Sequence, residues 1–224
     1  MGGNFMATFD EPIIAWHFIF CTYGFWLPND PRGSWSRFVR SPQIYAVGGA
    51  ATGRGDIRRS VAGATHDRKR RIAAKAALKY PPVKFAGVQA RAVARGIAQA
   101  VDENQYRVRA CALMPDHVHI LMDVQSRKAG QVVGHLKARA TQRMNEEQIH
   151  PLADYVTPAG TTPSMWAARF WCVFVHPSEL PSVVRYVELN PEKAGLKRQH
   201  WGFITPLMGM GAGAGGGGPT VPSS

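Results

Sequence analysis

The hydrophobic positions of this chain fall into short stretches with two different periods. Residues 13–23 (IIAWHFIFCTY) form an apolar, aromatic and β-branched run between Pro12 and Gly24, which predicts a buried strand. Residues 106–114 (YRVRACALM) and 117–124 (HVHILMDV) alternate on either side of Pro115-Asp116, predicting two strands paired across a short turn. Residues 169–175 (RFWCVFV) predict one more strand. Helical spacing lies between them. Over 87–103, Val88, Val93, Ile97 and Val101 return near one face; over 131–149, Val132, Leu136 and Met144 turn inward and leave Lys137, Arg139 and Arg143 on a polar side. A short helix is expected over 177–190, stopped by Pro191 because proline cannot continue the hydrogen-bond ladder.

The resulting order, β-α-β-β-α-β-α, predicts an α+β domain: a ferredoxin-like, split βαβ antiparallel sheet with helices packed on one face. That domain spans 11–206. Within it, 27–82 breaks the pattern, first turn-rich (LPNDPRGSW) and then rich in Gly and Ala without a period, and reads as an insertion. From 207 to 224 the Gly-rich sequence can bury almost nothing and is expected to be a flexible, disordered tail.

Composition sharpens this. A length of 224 residues at 45% hydrophobic suits one core, and 27 Lys+Arg against 15 Asp+Glu leave a net charge of +12, which favours a polyanionic partner, nucleic acid first. The surplus is uneven. Residues 54–79 hold nine basic side chains (Arg54, Arg58, Arg59, Arg68, Lys69, Arg70, Arg71, Lys75, Lys79) against Asp56 and Asp67, either a phosphate-binding arm or a solvated loop. Cys21, Cys111 and Cys172 have no zinc spacing, are odd in number and sit in apolar stretches, so they read as small core residues in a reducing compartment. No stretch reaches the roughly 18 apolar residues of a membrane span, and the first ten residues lack signal-peptide character. The expectation is a cytoplasmic, nucleoid-associated protein with no membrane partner.

Two motifs carry chemistry. In MPDHVHIL (residues 114–121), strand alternation points His117 and His119 to one side, where two neutral imidazoles could hold a divalent cation; a bare HxH is also a common accident. In RYVELNPEKAGL (185–196), Tyr186 and Asn190 stand four apart on one helical face and can meet one site, although taken singly such a Tyr is more often a packing aromatic and such an Asn a helix-ending residue. His17, His66, His135, His150, His176 and His200 have no usable spacing and read as structural or surface residues.

Together, MPDHVH followed by RFWCVFV and RYVELNP closely resemble the HUH single-tyrosine transposases, and in particular their REP-associated, transposase-like branch, whose hallmarks read roughly MPNHVH and YIxxNPxxAGL. CTYGFWLPNDPRGSW (21–35) resembles the opening of a subset of that branch, so the likeness runs from about 13 to 203. The resemblance implies a bacterial, metal-dependent DNA transposase and endonuclease acting on single-stranded or hairpin DNA. It implies that His117 and His119 bind Mg2+ or Mn2+ with Asn190 as third ligand, and that Tyr186 is the nucleophile of a 5′-phosphotyrosine intermediate. A free phenol, of pKa about 10, is a poor nucleophile at neutral pH, so such chemistry needs a cation to offset charge developing on the phosphate. With two imidazoles and a neutral amide as ligands, metal binding without DNA is expected to be weak. Basic positions Arg68, Lys69, Arg70, Lys137, Arg139 and Arg143 are the expected phosphate contacts.

Other readings stay open. A degenerate transposase that binds hairpins without cutting is the nearest; a single-strand-binding module with Trp26, Trp35 or Trp166 stacking on bases is a second, though no RGFGFV-type signature accompanies it; a zinc hydrolase lacks ligands. Monomer and homodimer are equally compatible with the sequence.

Overall fold

A computed structural model of the chain describes residues 11–27 and 67–207. Among these, four strands and four helices follow in the order β1 (Ala15–Thr22), α1 (Arg68–Ala76), α2 (Gly87–Asn104), β2 (Val108–Leu113), β3 (His117–Asp123), α3 (Ala129–Glu146), β4 (Trp166–Val175) and α4 (Leu180–Lys193). The tail from 208 and residues 28–66 of the insertion, Trp35, Arg54, Arg58, Arg59 and His66 included, lie outside the described residues.

The sheet order is β2-β3-β1-β4 with every neighbour antiparallel. This is the interleaving expected of a split βαβ fold: β1 and β2 flank β3, and β3 and β4 flank β1, so each crossover straddles a strand of the other unit. Right-handed crossovers place both connecting helices on the same side. There α2 and α3 meet Phe18, Phe20, Val118, Ile120, Met122, Cys111 and Leu113 in the main core. Their crossing is close because Gly96 carries no side chain; a Cβ there would fall 2.5 Å from the Arg139 carbonyl oxygen and 2.6 Å from Ala140 Cα. Val93, Ile97 and Val101 of α2 face inward as expected, but Val88 is 52% exposed: it lies in the first turn, ahead of the crossing.

The fold class is the expected one, and α4 adds to it. It follows β4 rather than linking two strands, so the crossover rule does not fix its side. It packs on the opposite face, where Val184 and Val187 cover a shallow platform of Ala15, Ala110, Ala112, Met114, Leu121 and Val175. Small residues at 110 and 112 leave room for a helix there, and the strands are apolar on both faces as a result.

Two boundaries differ from the sequence reading. The end of the insertion is helical: Asp67 caps α1 by accepting hydrogen bonds from the backbone N–H groups of Lys69 and Arg70 at 2.9 and 3.1 Å. And Pro191 does not stop α4, which runs on to Lys193 with Pro191 inside it. The stop is Gly195 at φ +72°, where the Leu196 N–H reaches the Pro191 carbonyl and the Gly195 N–H reaches that of Glu192, a Schellman closure that needs the left-handed backbone glycine allows. The outer edge of β2 is sealed by the last segment: Gln199 clamps both backbone groups of Leu113 at 2.8 Å each, and the Thr205 N–H donates to the Val108 carbonyl.

Candidate active site

Strand alternation sorts the central strands cleanly. In the β1–β3 register Ile19 stands opposite His119 and Cys21 opposite His117, while Phe18 stands opposite Ile120. The histidines therefore point away from the main core, to the face that α4 occupies. His117 and His119 bring their Nε2 atoms to 3.1 Å, and Asp116 Oδ1 lies 2.6 Å from His117 Nδ1. His119 is 5% exposed, and burial next to the other histidines holds its pKa down to about 2, so the ring is neutral and its lone pair is available to a cation.

Across from them stands Tyr186 of α4. Its ring is edge-on to that of His119, centroids 5.8 Å apart, and is 6.0 Å from that of His17. Val184 and Val187 anchor the helix one residue to each side or two, which leaves Tyr186 45% exposed at the helix flank, open to a substrate. Lys193 Nζ lies 5.3 Å from the same ring and supplies positive charge beside the phenol. Asn190, one turn on from Tyr186, has a buried amide nitrogen with no hydrogen-bond partner. Among the described residues no group of three or more His, Cys, Asp or Glu could hold a metal, so any ion at this site rests on two imidazoles and groups of another kind.

The structure thus brings His117, His119 and Tyr186 together, with Asn190 on the tyrosine's helix. Residues 79–190 match the family described as transposase, IS200-like. The chain belongs to the IS200-like transposase family. No curated protein matches it. Among solved structures it is similar to a REP-associated tyrosine transposase bound to a REP hairpin, at 11% identity over 88% of this chain and 76% of that one, with a TM-score of 0.43. It is also similar to a protein described as a transposase from Deinococcus radiodurans R1, at 14% identity over 84% and 95% of the two chains, with a TM-score of 0.38. No helix among the described residues is long and apolar enough to cross a membrane.

For this transposase-family chain the expected basic contacts separate into two groups. Arg68, Lys69 and Arg70 line the exposed helix α1. Lys137, Arg139 and Arg143 do not form a basic face beside the site, because α3 packs on the other side of the sheet. Each is also engaged in the fold. Lys137 Nζ donates to the carbonyls of Ala167 and Arg169 at 2.8 and 3.2 Å, Arg139 Nε pairs with Glu103 at 2.8 Å, and Arg143 pairs with Glu146 at 3.2 Å. Trp166 is a packing anchor, 6% exposed, with its indole N–H donated to Lys137 O and Thr141 Oγ1.

Three residues were not placed beside the histidine pair from the sequence. His17, read as structural or surface, places Nε2 3.0 Å from His119 Nδ1. Its signal was period two in β1, which puts 15, 17, 19 and 21 on one face; the pairing of β1 with β3 that aims this face at His119 is tertiary. Asp116 sits in the turn before His117, and Trp26 sets its ring 6.2 Å from that of His117. Of the remaining described histidines, three are held within the fold, His135 between Asn104 and Glu103, His150 against the Leu152 N–H, and His176 at the Glu11 carbonyl, while His200 is exposed.

Proposed function

We propose that this chain cleaves and rejoins single-stranded DNA at hairpin-associated sites, with Tyr186 as nucleophile and His117, His119 and Asn190 holding a Mg2+ or Mn2+ ion. One observation carries the reading: in a chain of the IS200-like transposase family, Tyr186 meets the His117–His119 pair.

The pair fits such an ion. Octahedral coordination at about 2.1 Å sets adjacent ligand atoms about 3.0 Å apart, and the two Nε2 atoms stand at 3.1 Å. Both outer nitrogens are tied, to Asp116 and to His17, which aims the inner ones at a common point. The Asn190 side chain supplies the third position through its amide oxygen. When bound, the ion would offset negative charge growing on the phosphate oxygens.

The chain's own residues do the rest. Tyr186 Oη attacks the phosphorus; its proton leaves to water, which reaches this half-exposed ring; a tyrosine–phosphate bond forms as the bond to the 3′ oxygen breaks. The products are a free 3′-hydroxyl and a 5′-phosphotyrosyl strand, whose ester keeps the bond energy for rejoining. Phosphate contacts come from Arg68, Lys69 and Arg70. Helix α1 is linked towards the site by aromatic residues: Lys75 Nζ lies 5.3 Å from the Phe25 ring, and the next residue, Trp26, stands at His117.

The test is a single-stranded hairpin oligonucleotide labelled at its 3′ end, incubated with the protein and Mn2+ and run on a denaturing gel. A covalent adduct is expected, with none from Tyr186→Phe although that variant still binds. An adduct undiminished in Tyr186→Phe removes the tyrosine from this role, and tight binding with no adduct from the unmutated chain supports a non-catalytic binding protein.

A further inference from the structure

Three histidines, not two, stand in a row on the face of the sheet that carries α4. His17 Nε2 is 3.0 Å from His119 Nδ1, and His119 Nε2 is 3.1 Å from His117 Nε2. His17 and His119 are both 5% exposed, and their rings lie 5.2 Å apart at 24°. The row ends at Asp116, whose Oδ1 is 2.6 Å from His117 Nδ1.

A neutral imidazole carries one ring hydrogen, and a carboxylate can only accept. Asp116 therefore fixes the hydrogen of His117 on Nδ1 and leaves its Nε2 bare. His119 then has two arrangements. With its hydrogen on Nε2 it donates to His117, and the gap between the two rings is filled. With its hydrogen on Nδ1, it donates to His17, and two lone pairs converge across the gap. Only the second arrangement admits a cation. It also requires an acceptor at the buried Nδ1 atom, because a ring N–H facing an apolar wall would be left unsatisfied.

We propose that His17 is a positioning residue of this site: by accepting the Nδ1–H of His119 it holds that ring in the tautomer whose Nε2 is a metal ligand. His17 itself is not a ligand, since its Nε2 faces the outer nitrogen of His119 and not the shared gap. The proposal rests on reading His117 and His119 as an ion-binding pair. Glutamine can place its Oε1 near the position of His17 Nε2 and accept there, whereas phenylalanine fills the same space with no acceptor.

The experiment measures Mn2+ binding from the free-ion electron paramagnetic resonance signal, for the unmutated chain, His17→Gln, His17→Phe and His117→Ala. It adds the ring-nitrogen NMR spectrum of the unmutated chain with Mg2+, which reports the tautomers directly. His17→Phe should bind Mn2+ at least about tenfold more weakly, the usual cost of losing a group behind a ligand. His17→Gln should stay within about threefold of the unmutated chain, and His119 should carry its hydrogen on Nδ1. Unchanged affinity in His17→Phe, equal loss in both His17 variants, or a hydrogen on His119 Nε2 with Mg2+ bound overturns the proposal. If His17→Phe does not fold, the glutamine variant and the tautomer decide. If the unmutated chain and His117→Ala bind Mn2+ alike, the ion-pair reading itself fails; if His117→Ala binds weakly and His17→Phe does not, only the role of His17 does.

Discussion

Tyr186 stands edge-on to His119 within one chain, ring centroids 5.8 Å apart at 83°, although one side chain comes from α4 and the other from β3. The geometry is that of a site whose two halves approach from a helix and from the sheet beneath it.

His117→Ala and His119→Ala should each lower adduct formation with DNA by about 100-fold or more at millimolar Mg2+, because each removes half of the imidazole donors, and the loss of a ligand costs more than the loss of a group behind it. His119→Ala should be the more disruptive to stability, since its ring is buried and the His117 side chain is 15% exposed. Adduct yield on a denaturing gel and thermal unfolding followed by circular dichroism separate the two effects.

Changing Arg68, Lys69 and Arg70 together to Ala should flatten the dependence of log affinity on log salt by roughly 2, at about 0.7 per phosphate contact on a single strand. These side chains are exposed on α1. The same treatment of Lys137, Arg139 and Arg143 should leave the slope unchanged and instead lower stability, because those cations hold Ala167, Arg169, Glu103 and Glu146 on the far side of the sheet. Equal slopes for the two triple variants would show α1 to be a solvated helix only.

Gly96→Ala and Gly134→Ala should move stability in opposite directions. The first drives a methyl into the α2–α3 crossing, where the nearest atoms are backbone at 2.5 and 2.6 Å, and should cost about 3 kcal/mol. The second adds a methyl on α3 where nothing lies within 4 Å, and should gain about 0.5–1 kcal/mol from helix propensity. Urea unfolding of both reads the difference.

His150 gives the fold an acid-sensitive point. Burial lowers its pKa, and its Nδ1 accepts the Leu152 N–H at 3.2 Å, so protonation there breaks that bond. A lowered folded-state pKa means that the unfolded chain binds the proton more readily: the stability is whole above the unfolded value of about 6.5 and is lost as pH falls from there through the folded value. His150→Asn keeps an acceptor near the same place without titrating. Between pH 6.5 and 5 its unfolding free energy should fall less steeply than that of the unmutated chain, by up to about 1.4 kcal/mol per pH unit.

Much of this was legible in the chain itself, and for local reasons. The strands around Phe18 and Ile120 and the helix faces of Ile97 and Leu136 follow from period alone, as does the shared face of His117 and His119. What period could not supply was pairing. Nothing local to β1 says that it lies between β3 and β4, and so nothing marked His17 as a neighbour of His119. The side of the sheet taken by α4, and with it the separation of α3 from the site, was hidden for the same reason: the strands carry apolar residues on both faces. Pro191 misled for a different cause. A proline inside a helix loses only its own N–H bond to the carbonyl four residues back, which does not stop the residues after it from continuing the turn, and the chain ends α4 with Gly195 instead.

Tyr186, the proposed nucleophile, and the histidines belong to two cores of unequal size. The histidine strands are braced by α2 and α3 through the large cluster around Phe18, Ile97, Ile120 and Leu136, while α4 rests on a small one through Val184 and Val187. Local opening follows the depth of packing, so the amides of α4 should exchange with solvent before those of α2 and α3. Under mild denaturant or moderate heat the protein would then pass through a form that keeps its histidine row and its sheet but has let go of its tyrosine, a form that under the proposed function takes up an ion and does not cut.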